Sequence, residues 1–226
     1  LAHRGYDMVR ILEQVYLGAD GIYGTPLGVS STFVIIIVVL GALLEKTGAS
    51  GVLMDIAVSM TRNSRGGPAK AAVVGSSLMG MISGTAVANV LTTGTISIPL
   101  MRRGGYRPAV AGAVEAVAST GGQLMPPIMG AAAFLMADIM EVPYLDITKA
   151  ALLPALLFYI AVFASVHLEA IKIGLRPLES IDIPDVAQSL RNSGHVLLSI
   201  PVFIGTLISG YSVMYSSLAG IICLLA

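Results

Sequence analysis

The 226-residue chain contains no tryptophan and one cysteine, and charged residues make up only 12% of it. Each shortage excludes something. Without tryptophan, any anchoring belt at a lipid–water boundary must rely on tyrosine, lysine and arginine. A single cysteine, Cys223, cannot form an internal disulfide, and its apolar surroundings suit a small buried hydrophobe. The formal net charge is zero, so nothing suggests a nucleic-acid partner. A soluble domain of this length carries about twice the charged fraction. Here 55% of the residues are hydrophobic and the mean hydropathy is +0.85, the composition of a membrane protein.

What is there is organised around residues 71–101, AAVVGSSLMGMISGTAVANVLTTGTISIPLM. This stretch holds no charge and lies between Arg62, Arg65 and Lys70 on one side and Arg102, Arg103 and Arg107 on the other. As one straight helix it would be about 46 Å long, against a hydrocarbon core of roughly 30 Å. A single crossing would also leave basic clusters on both sides of the membrane. A hairpin that enters and leaves on one face removes both conflicts. Its turn falls at Ser83-Gly84-Thr85, where glycine bends freely and two hydroxyls can satisfy the backbone groups that a turn releases. Non-helical backbone at membrane depth survives only inside protein or beside water, so the turn marks an ion or solute site. The competing reading is a kinked spanning helix whose small residues serve helix packing.

In chain order, residues 5–17 form a short amphipathic interfacial helix and residues 27–44 a spanning helix opened by Pro26. Residues 51–60 are too short to span and form a second interfacial helix before the basic turn 61–70. After the hairpin, Pro108 starts a helix through 109–120, which the run 121–127 (GGQLMPP) interrupts before helix resumes at 128–136. A spanning element broken near its middle offers free carbonyls and a new helix N-terminus, as transporter sites do. A proline kink without a ligand is the plain alternative. Asp138, Glu141 and Asp146 collect on the far side, and residues 147–166 return with Pro154 inside them. Lys172 and Arg176 follow, then a polar connector at 181–193 containing Pro184, and two apolar helices at 196–208 and 212–225. Three segments result: 1–70 with the interfacial and scaffold helices, 71–146 with the hairpin and broken helix, and 147–226 with further transmembrane helices.

The runs ISGTAVANVLTTGTISIPLMRRGGYRP and AVEAVASTGGQLMPPIMGAAAFLMA, with GTPLGVSSTFV, LEKTGA, RGGPAKAAVVGSSLMG and VPYLDI, resemble the large membrane subunit of TRAP transporters (tripartite ATP-independent periplasmic transporters). The GGQLMPPIMGAAAF wording is most similar to the fused-permease branch, whose soluble partner is usually a TAXI-type substrate-binding protein. The resemblance implies an all-α membrane protein: half of an inverted-repeat, elevator-type transporter with a re-entrant hairpin and a broken transmembrane helix. It further implies a bacterial inner-membrane, multi-pass, sodium-coupled permease importing small organic anions, with carboxylates foremost. No cofactor is implied, only sodium as the coupling ion. Position by position, Ser83, Gly84 and Thr85 match the family's hairpin tip. Asn89 matches a position where an aspartate can coordinate sodium, and here offers a carbonyl oxygen without charge. Gly121, Leu124 and Pro126 match the unwound segment whose carbonyls complete that site. The chain opens at Leu1 and closes inside an apolar run, as expected of a fragment that lacks the remaining half of the permease.

Glu115 stands in an otherwise apolar helix, and an intramembrane carboxylate is a candidate for coupling or for structural hydrogen bonding. His3, His167 and His195 lie near segment ends and read as interfacial. Two other functions compete. An intramembrane hydrolase would use Ser83 as nucleophile, but no histidine lies deep in an apolar segment to act as its base. A non-transporting scaffold or receptor subunit would need neither of the paired breaks.

Overall fold

The computed structural model describes residues 5–18, 21–175 and 186–225. His3, Arg176 and Pro184 lie outside them, as does the first part of the connector expected at 181–193. Every regular element among the described residues is helical.

Helix α1 (Met8–Tyr16) is capped by Asp7, whose carboxylate accepts from the Met8 amide at 2.9 Å, and it buries none of its side chains. The expected spanning helix is one helical run in three parts: α2 (Thr25–Val29), a π-turn at Ser30–Val34, and α3 (Ile35–Lys46). Its looser turn coincides with Ser31 and Thr32, whose hydroxyls donate back to the Gly28 carbonyl at 3.1 and 2.8 Å. Gly48, in the left-handed region at φ 93°, turns the chain into α4 (Ala49–Thr61). This helix has a packed face of Val52, Leu53, Met54 and Ala57. Gly75 of the next helix lets it close in: a Cβ there would stand 2.9 Å from the Met54 side chain.

The charge-free stretch is a helical hairpin of α5 (Gly67–Ser83) and α6 (Ala86–Arg103). The two arms touch along their length. At the open end a Cβ on Gly104 would lie 2.7 Å from the Pro68 ring, and midway the Ser76 and Thr93 hydroxyls are 3.1 Å apart. The arms therefore begin and end together, which gathers the basic residues before α5 and after α6 at one end. A single straight crossing does not describe this stretch.

Helix α7 (Pro108–Gly121) starts at the expected proline, and α8 (Ala131–Ile139) continues after the break. The restart comes three residues later than Ile128. Met129 has a positive φ of 57° and Gly130 is extended, so neither can extend a helix backwards. Helix α9 (Tyr144–Lys172) runs 29 residues with Pro154 inside it. It starts ahead of residue 147, so the boundary read between 146 and 147 falls in its first turn. Near its end Ala170 presses on Gly66, back at the basic end of the hairpin.

Part of the expected polar connector is helical: α10 (Val186–Ser193) is tied to α4 by the Ser189 hydroxyl, which donates to Asp55 at 2.5 Å. A 3-10 turn at Gly194–Leu198 leads into α11 (Ser199–Ile208), and α12 (Val213–Leu225) packs beside it. Among the described residues two helical runs are long and apolar enough to cross a membrane, Leu27–Lys46 and Tyr144–Lys172. Only 28% and 17% of their apolar windows are buried inside the fold, so most of that surface faces outward, as lipid contact requires.

Candidate functional site: hairpin tip against a broken helix

The sequence places a glycine where the hairpin must turn, and the backbone uses it. Gly84 is left-handed at φ 62° and caps α5 by donating its amide to the Gly80 carbonyl at 3.0 Å. Thr85 is extended and caps α6, its hydroxyl accepting from the Ala88 amide at 3.3 Å. Ser83 donates weakly to the Thr85 carbonyl at 3.4 Å. The tip is thus compact, with the Gly84 and Ala88 amides and the Thr85 carbonyl engaged.

The tip rests on the break in α7–α8. A Cβ on Gly84 would stand 2.3 Å from the Met129 carbonyl oxygen, and one on Gly130 3.4 Å from the Gly84 carbonyl. One turn below, Gly80 and Gly122 meet backbone to backbone, each leaving a would-be Cβ within 2.5 Å of the other's Cα. No larger residue fits either place without moving main chain. Sequence reasoning missed this pair. A glycine one turn before the tip and a Gly-Gly at the break were the available signals.

The expected carbonyl donors divide. Gly121 turns its Cα toward Phe158 and Tyr159 of α9 rather than toward the hairpin, and its carbonyl accepts from the Leu124 amide at 3.0 Å. The carbonyls of Leu124 and Pro126 accept no hydrogen bond from the described residues. Those of Pro127 and Ile128 both receive the Tyr144 hydroxyl, at 2.8 and 2.5 Å, which anchors the break to the start of α9. Tyr144 in turn stacks on Phe134 at 4.4 Å.

Asn89 is fully buried on α6 beside the Gly80–Gly122 contact. Its amide nitrogen donates to the Ser76 carbonyl at 2.8 Å and its oxygen lies 3.4 Å from the Thr93 hydroxyl. It therefore crosses between the hairpin arms, and its oxygen is turned inward along α6. Thr93 continues the chain inward to Glu115, which is also fully buried. Four hydroxyls converge on that carboxylate: Ser76 at 3.0 Å, Thr93 at 2.5 Å, Ser119 at 3.0 Å, and Ser97. Asn89, Thr93 and Ser97 recur every four residues, as do Glu115 and Ser119, so each set forms one stripe on its helix. That periodicity was legible; the partners facing it were not.

The arrangement joins two interrupted helical elements at glycine-only contacts, with an oxygen-rich interior behind them. This is the form in which transporters hold ions at membrane depth. The model of the family described as "Tripartite ATP-independent periplasmic transporter, DctM component" matches residues 2–226. The C4-dicarboxylate TRAP transporter large permease protein DctM of Pseudomonas aeruginosa is 29% identical over 170 residues, which are 75% of this chain and 39% of that protein. The uncharacterised protein YgiK of Salmonella typhimurium is 27% identical over 173 residues, covering 76% and 40% respectively. A third relative, y4mL of Sinorhizobium fredii, is 32% identical over 105 residues, 46% of this chain and 25% of its own. Such relatives are matched over well under half of their own length. The family match runs through the hairpin, the break and the return helix alike, and the chain belongs to the DctM component family of tripartite ATP-independent periplasmic transporters.

Proposed function

We propose that the chain is part of an inner-membrane permease that imports small organic anions by secondary transport, coupled to sodium. The observation that carries this reading is the seating of the Gly84 tip on the Met129–Gly130 break. Two discontinuous elements meet there, and the Leu124 and Pro126 carbonyls beside them have no protein donor among the described residues. Hard oxygen donors of this kind suit sodium. We propose that the ion lies among Ser83, Gly84, Thr85, Asn89, Gly121, Leu124 and Pro126, with Asn89 joining when its oxygen turns from Thr93 toward the tip. Gly121 enters through the second lone pair of a carbonyl already engaged by Leu124.

Dicarboxylates are the leading substrate class, because the Pseudomonas relative is named for C4-dicarboxylates. A periplasmic binding protein delivers the anion, and the GGQLMPPIMGAAAF wording favours a TAXI-type partner. The hairpin is re-entrant from the cytoplasmic side, where its basic ends lie together. With a second, inverted copy from the rest of the permease it forms a transport domain that moves as an elevator. One hairpin and one break supply half of such a domain, so this chain alone is expected to insert into membranes without transporting.

The test is anion uptake against sodium concentration in the full-length parent with its binding protein. Asn89→Ala removes an oxygen donor and the cross-arm bond to Ser76, and is expected to raise the sodium requirement at least tenfold with insertion unchanged. Asn89→Asp adds a charge beside the ion and is expected to preserve or tighten sodium dependence. Identical sodium curves in both variants would remove Asn89 from the site. Wild-type uptake that ignores sodium would overturn sodium coupling itself.

A further inference from the structure

Glu115 is 0% exposed in the middle of α7, and its carboxylate joins three helices through Ser76 of α5, Thr93 and Ser97 of α6, and Ser119 of its own helix. All four hydroxyl partners belong to this chain. Among the described residues Glu115 has no ion-pair partner. The described elements around it bring no countercharge to it. Lys70 of α5 sits over the Phe163 ring at 5.1 Å, and Arg102 and Arg103 lie in the last turn of α6. On α9, Asp146 pairs with Lys149 and Glu169 with Lys172, Tyr144 is bound at the break, and His167 lies on a groove wall with Lys70. The Tyr159 hydroxyl donates to the Ala118 carbonyl at 2.9 Å.

Two effects oppose each other here. A buried carboxylate without a countercharge is costly to keep ionised, whereas hydroxyl donors favour the ionised form. The spacing selects the ligand. Oxygens held 2.5 to 3.0 Å from Oε1 are at hydrogen-bond separations, with room for a proton between them. A hard cation such as calcium keeps each oxygen at about 2.3–2.6 Å from itself, which spreads the oxygens further from one another than they are here.

We propose that Glu115 is a proton-exchange site inside the hairpin unit, joined to the cation site at the tip through Thr93 and loaded and unloaded during transport. Around Thr93 the hydrogen bonds rearrange without loss. When a proton adds to Oε1, the new acid O–H donates to Thr93 Oγ1. The Thr93 hydroxyl, which had donated to Oε1, turns to the Asn89 carbonyl 2.7 Å away. Release of the proton reverses both moves. The link to transport rests on the transporter reading above; the proton site itself does not.

The test is difference infrared spectroscopy of the full-length parent in lipid, between acid and alkaline buffer. The wild type is expected to gain a protonated-carboxyl C=O band on acidification. Glu115→Gln should lose that band, and Glu115→Asp should keep it at a shifted frequency, which also serves if the glutamine variant misfolds. Thr93→Val should move the pH midpoint of the band, because the turning hydroxyl is gone. Identical difference spectra in the wild type, Glu115→Gln and Glu115→Asp would overturn the proposal and leave Glu115 a permanently charged clasp. The same samples test the link: the pH dependence of C4-dicarboxylate uptake should flatten in Glu115→Gln. If the band behaves as expected but the wild type takes up no organic anion with its binding protein, the transporter reading fails and the proton site stands.

Discussion

Two regions of the molecule are packed by different rules. Where α3, α8, α11 and α12 meet, the buried residues are large and apolar, among them Ile37, Leu40, Leu44, Phe134, Phe203, Leu207 and Val213. Inside the hairpin unit the buried apolar residues include Ala69, Ala72, Val73, Ala111 and Ala118, and the centre is filled by Ser76, Asn89, Thr93, Ser97, Glu115 and Ser119. In lipid there is little hydrophobic gain in bringing helices together, so close approach of small residues and interhelical hydrogen bonds must hold them. The first region reads as a scaffold whose contacts are unspecific in direction. The second is directional, since each hydroxyl has a named acceptor, and a directional interior can be rearranged by a single ion or proton.

Breaking the scaffold should have the largest effect on stability and the smallest on ion dependence. Phe203 is 1% exposed, and Phe203→Ala leaves a cavity expected to cost about 3–5 kcal/mol. Thermal unfolding of the full-length parent in detergent should show this loss, with the sodium dependence of residual uptake unchanged. A displaced sodium curve would mean that the two regions are not energetically separate.

The Gly80–Gly122 contact should behave in the opposite way. Gly122→Val puts a branched side chain where a Cβ already falls 2.5 Å from the Gly80 Cα, and backbone cannot yield as a flexible side chain would. Overpacking of this kind costs about 1–3 kcal/mol. Uptake should fall at least tenfold while the protein still inserts. Near-wild-type uptake would show that the tip need not seat on the break.

Smaller still is the anchor of the break. Tyr144→Phe removes the donor to the Pro127 and Ile128 carbonyls, a loss of about 0.5–1.5 kcal/mol. The expected result is a drop of a few degrees in unfolding temperature and faster amide exchange confined to residues 122–130. Uniform exchange across the chain would place the anchor elsewhere.

The hairpin turn and the break were legible because glycine and proline punctuate an apolar run in only a few ways, and because charged residues bound that run at both ends. Ser83-Gly84-Thr85 and Pro108 stand where the sequence put them. The restart of α8 was not legible, since Met129 at positive φ is imposed by its surroundings and not by its own preference. Helix α10 was hidden by its polar composition, which a connector shares. Glu115 was visible as an anomaly. Its four hydroxyl partners were not, because serine and threonine in an apolar helix look alike whether they bond their own backbone or a residue 39 positions away.

The central claim, that residues 71–101 enter and leave the membrane on one face, is tested most directly by labelling from outside intact cells. Every native cysteine of the full-length parent, Cys223 among them, is first replaced by serine, and Arg65→Cys, Arg103→Cys and Glu141→Cys are then probed singly with a membrane-impermeant maleimide. Residues 65 and 103 flank the two ends of the hairpin that the structure brings together. The account expects label at position 141 only, with positions 65 and 103 both reacting once the cytoplasmic face is opened. Label at 103 but not at 65 in intact cells would mean that the stretch crosses the bilayer once, and would contradict it.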